Sequence, residues 1–175
     1  MEFTFNAFPN LATERLLLRE LSFSDRKTIF RLRSNKEINK LITRKTPKNL
    51  NDADAFIQTC LDEFVKENRI FWAIEFEKKI IGTIVYHKIS IQDNYAEIGY
   101  ELNPNYQQKG FMSEALKTVL DFGFHKINLK TIEAYTHKNN IASIALLEKY
   151  HFKYQPERKC ENFEYNQIFK IEKNK

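Results

Sequence analysis

Glycine is scarce in this chain: four residues in 175, against a usual share of ~7%. A chain this sparing places glycine where the backbone needs it. Gly82, Gly99, Gly110 and Gly123 all fall in the middle of the chain. Cysteine is scarcer still. Cys60 and Cys160 are too few and too far apart for a disulfide scaffold or a CxxC metal site. The expectation is two reduced thiols in a cytoplasmic protein. No apolar run approaches the ~18 residues of a membrane helix, and mean hydropathy is −0.55. The opening MEFTFNAFPNLATERLL lacks a basic stretch, an apolar core and a small-residue cleavage site, so no signal peptide is expected. His87, His125, His137 and His151 match no HExxH or other metal-ligand spacing, and no metal site is expected. GxxxxGK[ST], GxGxxG and GxSxG are all absent, which excludes a P-loop, a dinucleotide fingerprint and a nucleophile elbow.

What is present is a globular composition. Hydrophobic residues make up 42% and aromatics 14%, enough to exclude a disordered chain. The length fits one domain over residues 1–175. A net charge of +5 favours anionic ligands: phosphates, a nucleotide cofactor or nucleic acid. Lys109-Gly110-Phe111 resembles the start of an RNA-recognition strand but departs from it at Met112, Ser113 and Glu114. Nucleic acid is therefore not the expected partner.

Periodicity orders the elements. Glu14–Leu21 reads as a strand, and Ser24-Asp25 caps a helix running to about Arg33. From a cap at Asn51 or Asp52, apolar residues at Ala53, Phe56, Ile57, Cys60, Leu61, Phe64 and Val65 mark an amphipathic helix. Phe71–Phe76 and Ile80–Ile89 read as a hairpin around Glu77-Lys78-Lys79. Tyr95–Asn103 follows as a strand stopped by Pro104. Then come a helix over Ser113–Lys126, a strand over Leu129–Tyr135 and a helix over Asn140–Tyr150. Strands over Phe152–Tyr154 and Phe163–Ile171 close the chain. Interleaved helices with hairpin-joined strands predict an α/β (α+β) domain with a mixed, mostly antiparallel sheet flanked by helices.

The chemistry concentrates in NPNYQQKGFMSEAL (Asn103–Leu116). A strand ends, a polar loop carries Gln107-Gln108-Lys109-Gly110, and a helix begins near Ser113. Backbone N–H groups at such a helix start hold phosphate through unpaired donors and the helix dipole. Gly110 permits close approach and Lys109 adds charge; an ordinary strand–helix turn has the same look. Glu97, Gly99 and Glu101 share one strand face by their spacing of two. Such a carboxylate, Glu97 being the candidate, is able to take a proton from a substrate directly or through water. A solvent-facing strand is the competing reading.

Gln107-x-x-Gly110-x-Met112 resembles the Q/R-x-x-G-x-G/A motif of the GNAT superfamily of N-acetyltransferases. ATERLLLREL, FWAIE, AEIGYELNPNYQQKGFMSEAL and NNIASIALLEKYHF look, in that order, like its ribosomal-protein (Rim-type) branch. The resemblance implies acetyl-CoA as cosubstrate, with no metal. Its pyrophosphate would lie on the amides of Gln107, Gln108, Lys109, Gly110, Phe111, Met112 and Ser113, and its pantetheine would pair with main chain near Leu102. The family's Asn-x-x-Ser maps to Asn140 and Ser143. Three positions depart from the pattern: Met112 replaces Gly or Ala, Leu147 replaces the Tyr that protonates the leaving thiolate, and His151 replaces a Gly. The second departure leaves Ser143 as the expected donor.

The expected activity is acetyl transfer to a primary amine, with a protein N-terminus of ribosomal type as the acceptor the resemblance implies. Small amines such as polyamines or aminoglycosides remain alternatives, as does a non-catalytic acyl-CoA or nucleic-acid binding protein. A homodimer is left open, and no membrane partner is expected.

Overall fold

The computed structural model describes residues 5–161 and 163–173. Its strands are β1 (Leu11–Ala12), β2 (Leu17–Glu20), β3 (Ile70–Phe76), β4 (Lys79–Ser90), β5 (Tyr95–Leu102), β6 (Thr131–His137), β7 (Lys153–Tyr154) and β8 (Asn166–Glu172). Its helices are α1 (Arg26–Ser34), α2 (Lys36–Asn39), α3 (Leu50–Val65), α4 (Phe111–His125) and α5 (Ile141–Lys149). The strands form one eight-stranded sheet in the order β1-β2-β3-β4-β5-β6-β8-β7. Every neighbouring pair is antiparallel except β5–β6. The mixed, mostly antiparallel sheet expected from the sequence is what the chain forms.

Alternation along the strands divides the core. Trp72, Ile84, Tyr86, Ile98 and Leu116 belong to the larger cluster, which brings α4 onto one face. Ile29, Ile57 and Cys60 pack with Phe71, Ala73 and Val85 on the other face, the one covered by α1 and α3. Burying a Leu, Ile or Phe side chain contributes roughly 1.5–3 kcal/mol, so the two apolar faces fix the layers.

Several element ends differ from the sequence reading. The cap of α3 is Asn49, whose side chain accepts from the N–H groups of Asn51 and Asp52. The helix α4 begins at Phe111, two residues before Ser113, with Gly110 as its cap. In the β3–β4 hairpin only Glu77 and Lys78 form the turn, both at positive φ (48° and 61°), and Lys79 pairs with Phe76. Positive φ at both central residues is the type I′ geometry whose twist suits a two-residue hairpin. The last strand spans Asn166–Glu172 rather than starting at Phe163. The single turn of α2 and the two-residue strand β1 carry no periodicity to read.

Close approach explains Gly123. A Cβ there would stand 2.3 Å from Tyr86 Oη. The hydroxyl itself donates to the Val119 carbonyl of α4 at 2.9 Å. Tyr86 therefore pins α4 to the sheet through a notch that only a glycine leaves.

Candidate active site

The parallel pair β5–β6 is short. Its register runs from Tyr95↔Thr131 to Ile98↔Ala134 and stops. Beyond that point β5 stays with β4 as far as Gly82↔Leu102. β6 stays with β8 as far as His137↔Asn166. The strands splay into a wedge between Gly99–Leu102 and Tyr135–His137, where their facing edges no longer pair.

Two cavities meet at this wedge. A cleft of about 700 Å³ is lined by Leu102, Gln107, Gln108, Gly110 and the first turn of α4 on one side, and by Asn140 and Ser143 on the other. That volume lies within the 300–1,000 Å³ of small-molecule sites. A smaller pocket of about 130 Å³ opens on Thr43, Gly99, Tyr135, His137, Phe163 and Asn166. Leu41, Ile42, Tyr100, Asn140 and Ser143 line both.

The loop before α4 is braced from outside the cleft. Gly110 has φ +80°, a left-handed conformation open to glycine at little cost. Arg15 donates to the Lys109 carbonyl at 3.1 Å and to Glu114 at 2.7 Å, and its guanidinium lies 4.4 Å from the Phe111 ring. Burial raises the affinity of Glu114 for a proton, but the Thr13 hydroxyl and the N–H groups of Arg15 together hold its pKa below the ordinary value. The first N–H groups of α4, from Phe111 to Ser113, have no intrahelical acceptor. With the cleft beside them they form a donor set suited to a phosphate.

The expected site residues are not all placed alike. Leu102, Gln107, Gln108, Gly110, Phe111, Met112, Ser113 and Asn140 line the cleft. Lys109 does not: its ammonium turns back onto the Asn105 carbonyl at 2.9 Å. The Gln107 amide donates to the Leu102 carbonyl at 3.1 Å, tying the loop to the end of β5. Ser113 is held by Lys149, whose Nζ donates to its hydroxyl at 2.8 Å, and by Tyr150, whose hydroxyl donates to its carbonyl at 2.7 Å.

Ser143 is buried, and its N–H donates to the Asn140 side chain at 3.2 Å. Its hydroxyl lies 2.9 Å from Tyr100 Oη. Leu147, also buried, presents no polar atom. Tyr100 was missed by the sequence reading, which followed the polar face of β5. Alternation puts Ile98, Tyr100 and Leu102 on the opposite face, where an aromatic ring reads as core.

On that polar face neither glutamate is a free solvent-facing group. Lys88 Nζ donates to Glu97 at 2.7 Å, and the Tyr95 hydroxyl lies 3.3 Å from it. Glu101 is buried, with Arg44 Nη2 at 2.5 Å and the Thr83 hydroxyl at 3.3 Å. Glu97 lies outside the lining of both cavities. The gap left by Gly99 is filled from β4 by the His87 ring, whose Nε2 would be 3.4 Å from a Cβ at Gly99. Burial, with Arg69 and Lys88 nearby, lowers the His87 pKa to about 4 and keeps the ring neutral.

This splayed sheet with a helix start at its mouth matches known proteins. The acetyltransferase (GNAT) domain model matches residues 15–153. The uncharacterized N-acetyltransferase YoaA of Bacillus subtilis (strain 168) is 35% identical over 147 residues, 83% of each protein. Among solved structures, RimL, the ribosomal L7/L12 alpha-N-protein acetyltransferase in complex with coenzyme A, superposes with a TM-score of 0.82. It is 17% identical, over 91% of this chain and 95% of that one. Mycobacterium smegmatis RimJ, in complex with a CoA disulfide, gives a TM-score of 0.80 at 17% identity, over 90% of this chain and 81% of that one. At such identity the likeness is one of fold. The chain belongs to the GNAT family of acetyltransferases. It is an acetyl-CoA-dependent N-acetyltransferase.

Proposed function

We propose that the acceptor is the α-amine of a protein N-terminus. The observation that carries this reading is the lining of the smaller pocket, which contains no Asp or Glu among the described residues. Such a pocket offers no carboxylate to strip a proton from a strongly basic amine. A free α-amine, with pKa ~7.8, costs only about 1 kcal/mol to deprotonate at pH 7, whereas a Lys side chain, at ~10.4, costs roughly 4.6 kcal/mol. The same lining offers no carboxylate to a polycation, and of the two glutamates that line the adjoining cleft, Glu37 and Glu101, the second is already paired with Arg44, which argues against polyamines and aminoglycosides. RimL, similar in fold, is by its name an α-amine acetyltransferase of ribosomal L7/L12.

Acetyl-CoA supplies an activated acetyl thioester. When bound, its diphosphate would be held by the N–H groups of Gly110–Ser113, and the open edge of β5 near Leu102 would pair with its amide arm and polarise the thioester carbonyl. The amine nitrogen attacks that carbonyl carbon, a C–N bond forms and the C–S bond breaks. The sulfur takes a proton from the Ser143 hydroxyl, the amine loses one to water, and a proton returns to Ser143 Oγ, so that the net transfer is from amine to sulfur. Glu97 enters only through intervening water, because Lys88 and Tyr95 already bind its carboxylate. Much of the catalytic work is positioning of two substrates.

A thiol-release assay tests the acceptor. An unblocked, Lys-free peptide should be acetylated faster than an N-terminally blocked peptide with an internal Lys, and faster than spermidine. Preference for either of the latter overturns the assignment.

A further inference from the structure

We infer that Tyr100 is a positioning residue for acetyl transfer, orienting and recharging the Ser143 hydroxyl that protonates the departing sulfur. The inference rests on the acetyl-transfer reading above and extends it to a residue on the opposite wall of the wedge.

The geometry is specific. Tyr100 comes from the splayed end of β5 and Ser143 from the first turn of α5, and their oxygens lie 2.9 Å apart. Both residues line the large cleft and the small pocket, so the hydroxyl pair sits where the two cavities meet. Asn140 fixes the backbone of Ser143, which leaves the hydroxyl's rotation as its main freedom. A serine hydroxyl has one hydrogen and two lone pairs. If that hydrogen pointed at Tyr100, none would remain for the cleft. With Tyr100 donating to Ser143 Oγ, the serine hydrogen is released toward the cleft, and the Tyr100 hydrogen is satisfied within a buried site.

Tyr100 can hold that role throughout the neutral range. Burial pushes its pKa up to about 12, against a smaller opposing effect of the Ser143 hydrogen bond, so its hydrogen is present when the sulfur leaves. The proton count closes. The sulfur takes the Ser143 hydrogen, Ser143 Oγ takes the Tyr100 hydrogen, and the resulting tyrosinate regains a proton from water. No serine alkoxide is left behind. Leu147 brings no hydroxyl from α5, and the strand supplies one instead.

Tyr100→Phe removes one oxygen and keeps the ring. Its kcat should fall about 100-fold, the lower end of the range for general acid catalysis because a thiolate is already a fair leaving group, while the Kd for CoA stays within about twofold. A second readout needs no turnover. Free CoA bound to the protein is titrated by its thiolate absorbance. A hydroxyl pair donating to the sulfur stabilises the thiolate, so its apparent pKa should be higher in Tyr100→Phe than in the wild type. A third readout tests the route. In a Ser143→Ala background, adding Tyr100→Phe should cost nothing further in kcat. Wild-type kcat and an unshifted thiol pKa in a folded Tyr100→Phe protein overturn the inference, and so does an undiminished Tyr100→Phe effect on top of Ser143→Ala. If the wild type acetylates no amine, the acetyl-transfer reading itself fails, and the thiol titration still decides whether the pair donates to sulfur.

Discussion

Replacing Gly123 by Ala tests how α4 is held over the sheet. The added methyl would meet Tyr86 Oη at 2.3 Å, Tyr86 Cζ at 3.0 Å and Ile132 Cδ1 at 3.3 Å. Ordinary contact starts near 3.4 Å, so helix and ring have to part by about 1 Å. Overpacking of this kind costs ~1–3 kcal/mol. Displacing the Tyr86 hydroxyl from the Val119 carbonyl leaves a buried donor unsatisfied, a further ~1–3 kcal/mol. Alanine returns ~1 kcal/mol through its better helix propensity. The net expectation is a loss of about 1–5 kcal/mol. Removing the offending oxygen should recover part of it: Tyr86→Phe alone should cost ~1 kcal/mol, and the double variant should be more stable than Gly123→Ala alone. Urea unfolding of the four proteins measures the coupling. If Gly123→Ala is as stable as the wild type, or if Tyr86→Phe gives it no relief, the notch does not hold the helix as described.

Two further outcomes follow from the loop and from the buried acids. Gly110→Asp forces a side chain onto a left-handed φ of +80° and sets its Cβ 3.3 Å from Arg15 Nη2, so it strains the loop and draws Arg15 off the Lys109 carbonyl and Glu114 that it braces. Its CoA affinity should fall at least tenfold in calorimetric titration with the fold retained, and unchanged binding by a folded variant removes the loop from the cosubstrate site. At Asp25, burial raises the pKa but the Arg19 guanidinium, together with the Ser22 N–H, lowers it more, leaving it below the ordinary 3.8. At Glu133, burial is likewise outweighed, by Arg158 with the hydroxyls of Tyr135 and Tyr95. Depressed carboxylate pKa values give stability that is present above the unfolded-state pKa and lost as pH falls through the folded one. Asp25→Asn should be less stable than the wild type at pH 7, and the gap should narrow in acid. A gap that stays constant down to pH 2 refutes the linkage.

The elements that could be read in advance are those with a long repeat. The apolar spacing from Ala53 to Val65 made α3 plain, and the β-branched and aromatic runs gave β3 and β4. Ends were harder. Ser113-Glu114 has the look of a helix start, yet Glu114 spends its carboxylate on Thr13 and Arg15, roughly a hundred residues away in sequence. Gly110 stood out because glycine is rare here, and the structure puts it at a left-handed φ of 80° as the cap of α4. The pairing of Glu101 with Arg44 was not, since 57 residues separate them and only the fold brings α1, the segment after α2 and β5 together. Tyr100 was hidden for a related reason. On a strand, an aromatic facing the apolar side reads as core, and nothing local distinguishes a ring whose hydroxyl meets a serine 43 positions later.

The brevity of the β5–β6 seam divides the molecule. Five strands lie on one side of it and three on the other, and among the described residues only four backbone register pairs join them in the sheet. The first group is a run of sequential antiparallel pairings; the second can join it only after the chain has crossed through α4. Long-range parallel pairing is slow to form, because chain entropy is spent before contacts compensate it. The seam is therefore the natural place for a late folding event and for the first local opening of the finished protein. A ligand that fills the wedge bridges the two groups of strands. Its binding would show as slowed amide exchange along Gly99–Leu102 and Tyr135–His137, well beyond the atoms it touches at the loop.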